Sequence, residues 1–92
     1  MIDSDILAVL KVDLQIQISA VQYDDYLQKI IALAKDAIAK EGIILGESVS
    51  DGMLVEMYAA YLYRRRKEEN VAMPRSLRYA LNNRLFSQKG SA

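Results

Sequence analysis

Residues 53–63, "MLVEMYAAYLY", carry a single charge, Glu56. Drawn as a helix, this stretch presents apolar residues on nearly every side, so it must be covered on most sides. The cover has to come from the rest of a 92-residue chain or from another copy of it. The flanking segments carry helical rather than strand periodicity. The chain is therefore expected to be all-α: one domain, 1–92, a small bundle of about four helices around a long central apolar helix.

The first helix is expected over 4–14, with Asp3 or Ser4 as its cap and Ile6, Leu7, Leu10 and Leu14 on one face. "VDLQIQI", 12–18, alternates as a strand would. A lone strand has no partner, so 15–21 is read as an extended connector. The second helix, 22–41, turns Leu27, Ile30, Ile31, Ala34, Ala37 and Ile38 toward the core. A second stripe, Tyr23, Tyr26, Ile30, Leu33 and Ala37, overlaps it. Gly42 suits a left-handed helix end, with Ile43 placed to touch Ile38.

The third helix is expected over 49–68. Ser48 and Asp51 have capping-box spacing at its start. Asn70 is a plausible left-handed stop. Pro74 suits the first turn of a fourth helix, 74–87, with Leu77, Leu81 and Leu85 on one face. Residues 88–92 read as a frayed tail.

Composition narrows the function classes. There is no cysteine and no histidine, which removes the commonest nucleophile, general base and metal ligands. Asp24 and Asp25 are neighbours that diverge on a helix, and they read as solvated or capping acids like Asp3, Asp5 and Asp51. No phosphate-binding glycine loop is present. Neither catalytic residues nor a cofactor or metal site are expected. The acidic start "MIDSDILAVLK" is unlike a signal peptide, and no apolar run is long enough to span a membrane.

The net charge of zero divides unevenly. Residues 1–63 carry four lysines against ten acids, a net −6. Residues 64–92 carry eight cations against Glu68 and Glu69, a net +6. That division suits docking between copies or onto an acidic partner. Arg64, Arg65, Arg66, Arg75, Arg78 and Arg84 are the candidates for docking or for lining a DNA channel. Arg64–Glu68 and Arg65–Glu69 have the spacing of helical ion pairs. A 52% apolar content leaves surface for subunit contacts. Tyr26, Leu33, Met53, Met57 and Tyr61 are the candidate interface residues. The rival reading is a small DNA-binding regulator, with the basic helix 74–86 in a groove. A third is a helical interaction module of unassigned partner.

Three stretches bear on the choice: "YDDYLQKIIALAKDAIAKEGI" (23–43), "YLYRRRKE" (61–68) and "MPRSLRYALNNRLF" (73–86). In order and spacing they resemble the second, third and closing helices of bacteriophage head–tail connector proteins, also called adaptor or head-completion proteins. The resemblance covers most of residues 4–87. The first connector departs from the pattern, with "QIQIS" where a Gly-containing turn is expected. The resemblance implies a non-catalytic virion protein at the head–tail neck, assembled in the host cytoplasm. Copies would form a ring beneath the portal protein, contact tail or head-closure proteins, and touch packaged DNA without reading its sequence.

Overall fold

The computed structural model describes residues 1–90. Four helices follow in order: α1 (Asp3–Asp13), α2 (Asp24–Lys40), α3 (Val49–Lys67) and α4 (Arg75–Gly90). A short 3-10 turn, Val21–Tyr23, leads into α2. No strand occurs among the described residues. The protein is an all-α bundle, as its periodicity predicts. α3 packs against each of the other three helices, and α1 also packs on α2. The shortest dimension is 18 Å, two helix layers, so every helix keeps an outer face.

The apolar stripes meet as the sequence implies. Ile6 and Leu10 of α1, the Leu27–Ile38 stripe of α2, Leu54, Val55, Ala59 and Ala60 of α3, and Leu77 and Leu81 of α4 form one buried cluster. Ala37, expected inside, is partly exposed at the edge of that stripe. Ile43 joins the same cluster as Ile38. Gly42 between them has φ 92°, and its N–H donates to the Ala39 carbonyl at 2.9 Å. Ser48 caps α3, its hydroxyl accepting from the Asp51 N–H at 3.1 Å. A cap of this kind is worth about 1 kcal/mol.

Several local expectations are corrected. α1 starts after Ile2, whose side chain has no acceptor to cap it; Asp3 and Ser4 already lie inside the helix, and Asp3 pairs with Lys35 at 2.5 Å. The connector after α1 is not extended. Gln15 takes φ 60°, donating to Val12 O at 3.1 Å, and Ile16 donates to Lys11 O at 2.8 Å. These two bonds make a Schellman ending with glutamine in the left-handed position that glycine usually fills. Asn70 is also left-handed, φ 69°, past the end of α3. Pro74 precedes α4 rather than opening its first turn, and its carbonyl accepts from Arg78 N–H at 3.1 Å. α4 runs on through Gly90, so 88–90 do not fray. Gln88 holds this end, donating to Gly42 O at 2.9 Å and accepting from Ile44 N–H at 2.7 Å. Residues 91–92 of the expected tail lie outside the described residues.

Two of the left-handed positions, Gly42 and Gln15, predict opposite responses. A Cβ on Gly42 meets nothing closer than Leu85 Cδ1 at 3.8 Å, so a substitution there is opposed by the backbone alone. Gly42→Val should cost about 1 kcal/mol or more, because a β-branched residue resists positive φ. Gln15→Gly should instead be neutral or stabilising by up to about 1 kcal/mol, since glycine relieves the left-handed penalty. Urea midpoints of both variants check this; a stable Gly42→Val would show that the α2 ending does not need glycine.

Candidate functional site

The six candidate arginines separate into two groups. Arg84 faces inward: its Nε donates to Asp51 Oδ1 at 2.7 Å and its Nη2 to Asp51 Oδ2 at 3.1 Å. The same Nη2 donates to Ile44 O at 2.8 Å. Asp51 is 4% exposed, and Gly46 N–H adds a bond to its Oδ2 at 2.7 Å. The Arg84 hydrogen bond and, after it, the Gly46 amide hold the Asp51 carboxyl below its ordinary range, against the opposing effect of burial. Asp51 thus does more than sit in a cap. Arg78 makes a two-pronged pair with Glu41, at 2.8 and 3.2 Å. Arg64 pairs with Asp13 at 3.1 Å, not with Glu68, and Arg65 forms no ion pair with Glu69. Internal carboxylates thus hold Arg64, Arg78 and Arg84, whereas Arg65, Arg66 and Arg75 make no ion pair among the described residues.

The candidate interface residues divide as well. Tyr26 and Leu33, 41% and 50% exposed, stand on the outer stripe of α2. Leu33 lines a groove of about 250 Å³ with Ile30, Leu62, Arg65 and Arg66. The Arg66 guanidinium lies 5.9 Å from the Tyr26 ring centre, and Tyr63 meets that ring edge-on at 6.3 Å. Met53 and Met57 lie elsewhere, in a cleft between α3 and α4 with Leu54, Ala80 and Arg84. Tyr61 is partly buried against the Tyr58 ring, 5.9 Å away. The five residues therefore do not form one surface. Tyr79 and Phe86, on the outside of α4, are more exposed than any of them, at 64% and 80%.

Two buried ionisable groups had no assigned role in the sequence reading. Lys11 is 2% exposed. Its ammonium donates to Ile18 O at 3.0 Å and Ala20 O at 3.2 Å, and pairs with the Asp24 carboxylate. Two carbonyl hydrogen bonds and one ion pair thus surround the ammonium, and Asp24 is not a merely solvated acid. The signal was positional: Lys11 occupies the i+4 place between Leu7 and Leu14 on the apolar face of α1. Glu56 is 4% exposed, and its Oε2 meets no donor. Burial pushes its carboxyl up to about 8, reinforced by the hydrogen bond and charge of Asp13 and opposed by Arg64. The hydrogen bond from Glu56 and the nearby Arg64 hold Asp13 low, against burial. A proton on Glu56 turns an unmatched acceptor into a donor toward Asp13.

Among the described residues no cluster of three or more acids suits a metal ion. No described helix is long and apolar enough to cross a membrane. Fold and surface define a small helical bundle with apolar, cation-edged outer faces. No family model, curated protein or solved structure matches the chain.

Two outcomes follow from these buried groups. Glu56 binds its proton more tightly folded than unfolded, so its contribution is complete below about pH 4.5 and fades as pH rises through about 8. Asp13 and Asp51 act oppositely, losing their contribution as pH falls below the ordinary aspartate value of 3.8. Melting temperature should therefore peak near about pH 5 and decline toward pH 8, and Glu56→Gln should flatten that decline. Separately, Arg84→Met leaves Asp51 buried without its cation and should cost about 3 kcal/mol, whereas Arg75→Met should change stability by less than about 0.5 kcal/mol. Equal effects in chemical denaturation would show that Arg84 is not structurally committed.

Proposed function

We propose that the chain is a non-catalytic structural subunit that assembles with copies of itself, in the role of a bacteriophage head–tail connector. In that role copies form a ring between the portal protein and the tail and complete the head after DNA packaging. The observation that carries the reading is the outer surface of the α2–α3 pair. Tyr26 and Leu33 are left exposed there, beside Arg65 and Arg66, which form no ion pair among the described residues. Apolar residues with an arginine rim are the composition of a protein contact rather than of a solvated face. The sequence resemblance supplies the biological setting, a neck assembly in the virion.

The DNA-regulator reading relied on α4, and its arginines favour it less. Arg78 and Arg84 are fixed on Glu41 and Asp51, leaving Arg75 as that helix's arginine without an ion pair. A recognition helix needs several side chains free to reach base edges. Non-specific contact with packaged DNA through Arg65, Arg66 and Arg75 is compatible with the connector role.

A titration of duplex DNA at two salt concentrations tests the choice, using the parent and an Arg66→Glu, Arg75→Glu double variant. The expected result is weak, sequence-blind binding that disappears at moderate salt. Tight binding to one defined sequence, surviving competitor DNA and lost in the double variant, overturns the connector reading.

A further inference from the structure

We propose that the outer stripe of α1 from one copy docks in the α2–α3 groove of another. The pairing rests on the assembly reading above and names the two surfaces that meet. The groove has an apolar floor, Ile30, Leu33 and Leu62, with Arg65 and Arg66 along it. Lys29 stands one turn before Leu33 on α2. None of these three cations forms an ion pair among the described residues. The groove therefore asks for an occupant that is apolar and acidic.

α1 carries such a stripe. Ile2, Asp5, Val9 and Val12 are spaced i, i+3, i+7, i+10, so they share one side of the helix. Ile2 and Val12 are each 66% exposed, Asp5 is exposed between them, and Val9 is half-buried at the edge of the stripe. Every other charge on α1 is already matched: Asp3 by Lys35, Lys11 by Asp24 and Asp13 by Arg64. Asp5 is the carboxylate of this helix without an ion pair among the described residues. The stripe cannot enter its own groove, because Ile6 and Leu10, on the adjoining side of α1, are buried in the core and fix that helix in place. It is therefore available to a neighbour.

Ile2 to Val12 spans about 15 Å of helix, and the outer stripe of α2 from Tyr26 to the groove residue Leu33 about 10 Å, so about two turns of the α1 face can lie along it. Asp5 then meets the Lys29, Arg65 and Arg66 side. The two surfaces differ, so the contact is heterologous, the kind that closes into a ring when its rotation permits.

The chain lacks cysteine, which makes single-cysteine chemistry clean. Val9→Cys and Leu33→Cys proteins, mixed at high concentration and oxidised, should give mixed disulfide dimers in preference to same-type ones. Asp5→Arg alone, and Arg65→Glu with Arg66→Glu, should each weaken self-association about tenfold, and one chain carrying all three changes should recover most of it. Circular dichroism of each variant checks that the bundle is intact. Absent or only same-type cross-links, or association indifferent to charge reversal, would overturn the pairing and assign the groove to an acidic helix of another protein. That failure is separate from failure of the connector reading, which the duplex titration decides.

Discussion

A polar or charged group taken out of water must meet partners, and three such groups, Lys11, Asp51 and Glu56, direct the chain between its helices. Lys11 gathers the Ile18 and Ala20 carbonyls and the Asp24 carboxylate, and so folds the first connector back over the end of α1. Asp51 gathers the Gly46 amide and Arg84, which also reaches Ile44 O, and so ties the second connector and α4 to the start of α3. Glu56 meets Asp13 and Arg64 where α1 crosses α3. Hydrophobic burial drives these helices together without direction. The buried ionisable groups add the direction, because few arrangements bring partners to them.

This arrangement also decides which charges reach the surface. Three ion pairs join the opposite halves, Arg64–Asp13, Arg78–Glu41 and Arg84–Asp51, and so halve their −6 and +6. Among the charges left on the surface are Arg65 and Arg66 beside an apolar groove, and Asp5 on the outer side of α1. A long-range dipole would steer any acidic partner toward the basic half. Local cations on an apolar floor select a partner that is also apolar there.

The helices were legible because their stripes repeat at helical spacing, and the Gly42 stop and Ser48 cap because each uses a residue with a specific backbone or hydrogen-bonding property. The first connector was not legible. Its ending is made by Gln15 in a position where sequence alone would look for glycine, and its path is set by an ammonium contacting residues 7 and 9 positions away. The arginines were legible as cations but not as partners. Local spacing favoured Glu68 and Glu69, whereas the fold brings Asp13 to Arg64 from 51 residues away. Of the candidate surface, Tyr26, Leu33, Arg65 and Arg66 gather around one face, and Met53 and Met57 lie apart because α4 covers a different side of α3.

α1 is the helix on which these threads converge. It is eleven residues long, too short to hold its shape unaided, so its position depends on tertiary contacts. Those contacts are the apolar pair Ile6 and Leu10, the buried Lys11, and the Asp13–Arg64–Glu56 cluster at its end. Two of the three are electrostatic, and one depends on a proton held by Glu56. Ionising Glu56 places two carboxylates together and weakens the seat of α1 on α3 without touching the apolar core. The same helix carries the exposed stripe proposed to meet a neighbouring copy. A surface for assembly on such an element depends on the contacts that seat it, the apolar pair and the buried polar groups alike.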